Sequence, residues 1–172
     1  MASVGHVAVG IFAARAGRRA TSGWRSVLFW SVLSLLPDAD VIGFSVGVRY
    51  ADPWGHRGAT HSFAAALVVG VLCGLAARLF GRPAARTALL ASAVLASHAL
   101  LDTLTDGGLG CALLWPFDQT RYFAPWRPIP VAPIGLRFLS PSGALVAATE
   151  LVLFSPLLLV SFLRRRSPSG VH

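Results

Sequence analysis

His98 and Asp102 stand four residues apart, Asp38 and Asp40 follow directly on Pro37, and His56 and His61 bracket Arg57, Gly58 and Thr60. With His6 behind Gly5, they form polar islands in an otherwise apolar, arginine-dotted chain: residues 5–6, 36–40 with Asp52 beyond, 56–62 and 98–106. Carboxylates and imidazoles are costly to bury unless they are paired, protonated or bound to a cation. Clustered in hydrophobic sequence, they are most economically explained by a bound metal.

In a helix, His98 and Asp102 project from one face and can share a cation. Asp38 and Asp40 follow a helix break; side by side in lipid they would repel and raise each other's pKa, which a cation relieves. His61 can turn inward at the start of the next apolar run, where Thr60 and Ser62 are placed to cap helix amides. The mixed set His6, Asp38, Asp40, His61, His98 and Asp102 favours zinc, with manganese or iron as alternatives. Six donors exceed one tetrahedral shell, so the reading is two metals, or one metal with a base. His56 and Asp40 are the candidate proton-transfer groups, and Arg57, Arg121 and Arg127 could hold a phosphate by bidentate contacts. Asp52, Asp106 and Asp118 read as caps or as partners of Arg49, Arg121 or Arg127, and His6 alone reads equally well as a hydrogen-bonded helix start.

The elements that carry these residues belong to a membrane. The 172 residues are 55% hydrophobic and 13% charged, with mean hydropathy +0.65, outside the range of soluble domains. All fifteen basic residues are arginine and the pI is about 11.4. The arginines sit at the ends of apolar runs, as membrane anchors do, so a nucleic-acid partner is not expected. Cys73 and Cys111 show no metal or redox spacing and neither support nor exclude a disulfide.

The run 4–14 is too short to span, lacks the marks of a cleaved signal peptide, and is expected to remain as a packed helix. The runs 27–48, 63–80, 84–104 and 143–163 are near spanning length, and Pro37 should break the first of them. A broken helix at membrane depth is tolerated where it lines a polar cavity. The expected fold is all-α: a polytopic helical bundle of about four spanning helices plus the short N-terminal one. It forms one domain over residues 1–166 with a disordered tail at 167–172. Residues 107–142 hold five prolines between Pro116 and Pro133 and the aromatics Trp115, Phe117, Tyr122, Phe123 and Trp126. They are expected to form an interfacial lid.

Arg15, Arg18, Arg19 and Arg25, then Arg78, Arg82 and Arg86, then Arg164, Arg165 and Arg166 mark the cytoplasmic side, ten against the five of Arg49, Arg57, Arg121, Arg127 and Arg137. At ~1.5 Å per residue, Asp38 lies ~20 Å from Arg25 and His98 ~18 Å from Arg86. The islands thus converge in the outer half of a cytoplasmic membrane. Gly70 and Gly74 supply a small-x3-small spacing for helix packing, which could also serve a homodimer.

The order Gly-His, Leu-Pro-Asp-x-Asp, His-Arg-Gly-x-Thr-His-Ser, His-x2-Leu-Asp-x2-Thr and a Trp-Pro-Phe loop resembles the YdjM-type family of membrane-bound metal-dependent hydrolases, from His6 to about Pro133. More distantly, Asp40, His61, His98 and Asp102 are similar in order to the ligands of zinc-dependent phospholipase C and single-strand nucleases. Those enzymes use further histidines and an N-terminal tryptophan amine that this chain lacks. The resemblance implies hydrolysis of a phosphoester or other ester of a lipid-like substrate by metal-activated water, with membrane lipids as the partners. The alternatives are a structural metal site in a non-enzymatic membrane protein, or an ion-translocating protein.

Overall fold

A computed structural model describes residues 3–16 and 23–163. The positions of Arg18, Arg19 and Arg164–Arg166, and the expected disordered tail, lie outside the described residues.

The described residues form, in order, the α-helices α1 (Ser3–Arg15), α2 (Trp24–Leu35), α3 (Phe63–Leu79), α4 (Ala84–Thr103) and α5 (Pro141–Leu163). Among the described residues there is no strand, only isolated bridges between Thr105 and Ile129 and between Cys111 and Tyr122. The all-helical expectation holds.

The break at Pro37 is also present. Proline has no N–H to continue the α-helical ladder, and the Leu36 N–H already bonds Leu33 O three residues back. From there the chain tightens into a 3₁₀ segment, Leu36–Val46, which ends where Gly47 adopts φ 87°. Such segments rarely exceed a turn or so and often mark a functional site. Here the tight winding carries both Asp38 and Asp40 inward.

Among the described residues three stretches are long and apolar enough to cross a membrane: Trp24–Val46, Ala84–Thr103 and Pro141–Leu163. Helix α3 has 17 residues, ~25 Å of rise against a ~30 Å hydrocarbon core. It starts late because Ser62 is its N-cap, its hydroxyl accepting the Ala65 N–H at 3.0 Å. Leu67, Val71, Leu75 and Leu79, spaced by four, leave an apolar stripe of α3 exposed, as a lipid-facing helix requires.

Helix α4 packs along α3, and α1 packs against α2, α5 and α4. Leu33, Ala66, Ala91 and Leu95 make the core where α2, α3 and α4 meet, flanked by Trp30, Val69 and Cys73. Without a strong hydrophobic drive between helices in lipid, close backbone approach does much of the packing. A Cβ on Gly70 would lie 2.0 Å from Ser92 Oγ and one on Gly74 2.7 Å from Ala88 Cβ. The Gly70-x3-Gly74 spacing therefore serves the α3–α4 seam within one chain, and those glycines are buried there.

Candidate metal centre

Each island is delivered by a different element to the end of the bundle away from Arg15, Arg25, Arg78, Arg82 and Arg86. The start of α1 brings His6, the 3₁₀ segment brings Asp38 and Asp40, and the turn before α3 brings His56 and His61. The last turns of α4 bring His98 and Asp102. One donor atom from each of Asp38, His61, His98 and Asp102 lies within 4.8 Å of the others; Asp40, His56 and His61 form a second such group sharing His61.

Local bonds orient the imidazoles. His98 Nδ1 donates to Ser34 O at 2.7 Å, since a carbonyl can only accept. The Thr60 hydroxyl donates to Asp40 Oδ2 at 2.7 Å, which leaves its oxygen to accept from His61 Nδ1 at 3.0 Å. His61 Nδ1 is also 3.2 Å from Asp40 Oδ2. Both Nε2 atoms are thereby turned into the cluster, where they lie 3.1 Å apart. Two nitrogens bound to one zinc at ~2.0–2.1 Å in tetrahedral geometry stand ~3.3–3.4 Å apart.

The carboxylates complete the set. Asp38 is 6% exposed, and neither of its oxygens has a hydrogen-bond partner. Its Oδ1 instead faces three imidazoles at 3.5 Å (His98 Nε2), 3.6 Å (His61 Nε2) and 3.9 Å (His56 Nδ1). These separations are too long for hydrogen bonds, and suit donors converging on a cation. Asp102 Oδ2 lies 3.6 Å from His61 Nε2 and 3.1 Å from Arg57 Nε, while its Oδ1 lies 3.3 Å from His6 Nε2. His6 stacks on His98 with ring centroids 3.7 Å apart. The donor set fits a divalent metal of the zinc class.

Asp40 sits one layer out. Its Oδ1 accepts from His56 Nδ1 at 2.7 Å, and its Oδ2 accepts from Thr60, His61 and the Arg57 amide. This is the carboxylate–histidine arrangement that holds metal-bound imidazoles in other proteins. Thr60 was expected as a helix cap; its hydroxyl serves Asp40 instead, and Ser62 alone caps α3.

The three candidate phosphate-binding arginines diverge. Arg57 is fully buried, with φ 63°, and its Nη1 donates to Gly107 O and Leu109 O. Arg121 donates to the carbonyls of His56, Gly110, Tyr50 and Asp52, which ties the loop carrying His56 to the lid. Arg127 is exposed, its guanidinium 4.8 Å from the centroid of the Phe123 ring.

Asp52 pairs with Arg49 at 3.2 Å, and Asp106 accepts the Val131 N–H. Asp118 accepts from Tyr122 Oη and the Thr120 amide, bonds that hold its carboxyl below the usual range. All three serve the loops. Cys73 and Cys111 are free thiols; burial, with the Asp102 charge, pushes Cys111 up to about 12.

Two features of the site escaped the sequence reading. Ser34 acts through its carbonyl, which no side-chain pattern reveals. Glu150, in the middle of α5, is fully buried and its Oε2 accepts the Val4 and Gly5 amides at 2.7 and 3.1 Å. It caps α1 directly before His6, and its signal was a lone carboxylate inside the most apolar run.

The family model described as YdjM inner membrane protein matches residues 1–167. The inner membrane protein YbcI of Escherichia coli (strain K12) is 46% identical over 123 residues, covering 70% of this chain and 71% of YbcI. No solved structure matches.

Proposed function

This chain belongs to the YdjM inner membrane protein family, and we propose that it is a membrane-embedded, metal-dependent hydrolase acting on a phosphoester or other ester of a lipid-like substrate. It is a multi-pass inner membrane protein, and the outer half of the bilayer is the depth we assign to the site. The observation that carries the reading is the pair of converging Nε2 atoms of His61 and His98, 3.1 Å apart, facing the carboxylates of Asp38 and Asp102.

In this reading Asp38, His61, His98 and Asp102 hold one divalent ion, zinc first, with manganese or iron as alternatives. When bound, such an ion supplies Lewis acidity that brings the pKa of water toward neutrality and polarises an ester oxygen. Four protein donors leave room for water if the ion expands to five-coordination, which zinc does and manganese or iron do readily. Asp40 keeps His61 and His56 in the required tautomers, and His56, hydrogen-bonded to Asp40 at 2.7 Å, is the proton-transfer group. His6 and Arg57 share the charge of Asp102. A cleft of about 100 Å³ opens beside the cluster between Pro37, next to Asp38, and Thr60, bonded to Asp40. Leu36, Ala66, Val69 and Leu95 give it the apolar walls a lipid chain would need.

The near-complete burial of His6, His61, His98 and Asp102 favours a second reading, a closed structural metal site. The deciding experiment is metal content of the purified protein, wild type and His61→Ala and Asp102→Ala, followed by phospholipid hydrolysis with the same proteins. Stoichiometric metal in wild type only, with turnover, supports the hydrolase. Metal without turnover on any ester supports the structural site, and wild type without metal overturns both.

A further inference from the structure

At the opposite end of the bundle a second cavity, of about 500 Å³, opens between α2 and α3. Its volume lies within the ~300–1,000 Å³ of small-molecule sites. Phe29 and Trp30 of α2 form one wall, Cys73 and Phe80 the other, and Arg25 and Arg82 stand at its cytoplasmic rim. The cavity exists because α2 and α3 scarcely touch each other here: each packs on α4, and the small residues Ala76 and Ala77 leave the α3 wall shallow.

The sequence on either side of Arg25 and Arg82 is free of carboxylates: residues 1–37 contain no aspartate or glutamate, nor do residues 53–101. At the cytoplasmic face of a membrane anionic headgroups supply neutralising charge at ~1 kcal/mol per arginine. A slot with aromatic walls and two guanidinium groups at one mouth matches an acyl chain ending in a phosphate.

We infer that the α2–α3 cavity binds an anionic phospholipid of the cytoplasmic leaflet, its headgroup phosphate on Arg25 and Arg82 and one acyl chain against Phe29, Trp30 and Phe80. This lipid is not the hydrolase substrate. Arg25 and Asp38 are separated by ~20 Å of helix, so the phosphate held here is remote from the metal centre. The bound lipid fills the gap between α2 and α3 and so braces the helix that continues into the segment bearing Asp38 and Asp40.

Cys73 lines the cavity and is half-buried, whereas Cys111 is fully buried with a raised pKa, so maleimide labelling of Cys73 reports occupancy. Purified protein in a neutral detergent would be labelled with added phosphatidylglycerol, phosphatidylcholine or inorganic phosphate. Phosphatidylglycerol should slow labelling about thirtyfold more than phosphatidylcholine at equal concentration, as two guanidinium contacts imply, and inorganic phosphate should not slow it. In Arg25→Gln/Arg82→Gln the two lipids should become equivalent. Equal protection by both lipids in wild type overturns the inference, as does protection by inorganic phosphate alone. The wild-type comparison decides the matter even if the double variant fails to fold, and it is independent of whether the metal centre hydrolyses anything.

Discussion

The Nε2 atoms of His61 and His98 meet at 3.1 Å while their Nδ1 atoms are held by Asp40 with Thr60 and by the carbonyl of Ser34. Only a proton or a cation can occupy the space between two such nitrogens. In the metal-free protein that occupant is a proton, and metal entry must release it. Metal affinity should therefore rise with pH. Calorimetric titration in buffers of different ionisation enthalpy tests the proton release; pH-independent affinity would remove His61 from the coordination shell.

Asp40 allows orientation to be told from ligation. Both of its oxygens are engaged by His56, Thr60, His61 and the Arg57 amide. Asp40→Asn places an NH₂ donor against groups that are themselves donors. It should weaken metal binding ~10–100-fold, the usual effect of losing a partner behind a ligand, while metal still binds at saturation. Asp38→Ala and His61→Ala should abolish stoichiometric binding. An Asp40→Asn protein that binds no metal at any concentration would make Asp40 a direct ligand.

The difference between those two aspartates shows where sequence reading reached its limit. Period and composition were enough to place the apolar runs, the break at Pro37 and the shared face of His98 and Asp102, because these follow from local rules. Convergence of the islands also followed, once the arginines marked one end of each helix. Which donors face inward did not, because it depends on partners distant in sequence: Ser34 O for His98, and Thr60 for Asp40. Arg121 and Arg57 were read as free to bind substrate, since nothing local announces that their guanidinium groups are taken by loop carbonyls and Asp102. Glu150 was overlooked because its role exists only where α5 meets the start of α1.

The α3–α4 seam carries a stability prediction free of the site's chemistry. A side chain at Gly70 would collide with Ser92 Oγ at 2.0 Å and with the Ser92 amide at 2.7 Å, and backbone cannot step aside as a flexible side chain can. Gly70→Leu should destabilise by ~1–3 kcal/mol or more, as overpacking does, and lower the unfolding midpoint in detergent. Gly47→Ala, where a Cβ meets nothing within 4 Å but φ is 87°, should cost ~1 kcal/mol from backbone strain alone. If Gly70→Leu melts no lower than Gly47→Ala, the seam is looser than described.

Glu150 joins the most apolar helix to the metal centre through two hydrogen bonds. Its Oε2 accepts the Val4 and Gly5 amides, donors at a helix start that have no partner within the helix, and the next residue is His6, 3.3 Å from Asp102. Glu150→Ala leaves those amides without their acceptor in a region remote from water. Each such loss costs ~1–3 kcal/mol, so the variant should unfold at least ~2 kcal/mol more easily. Glu150→Gln keeps an acceptor oxygen of similar reach and should recover more than half of that loss. Because the start of α1 also sets where His6 stands against His98 and Asp102, Glu150→Ala should weaken metal binding several-fold, and Glu150→Gln should not. Chemical unfolding and metal titration of both variants separate the effects. A weakened metal site in both, at unchanged stability, would instead mean that the Glu150 charge acts on the centre directly.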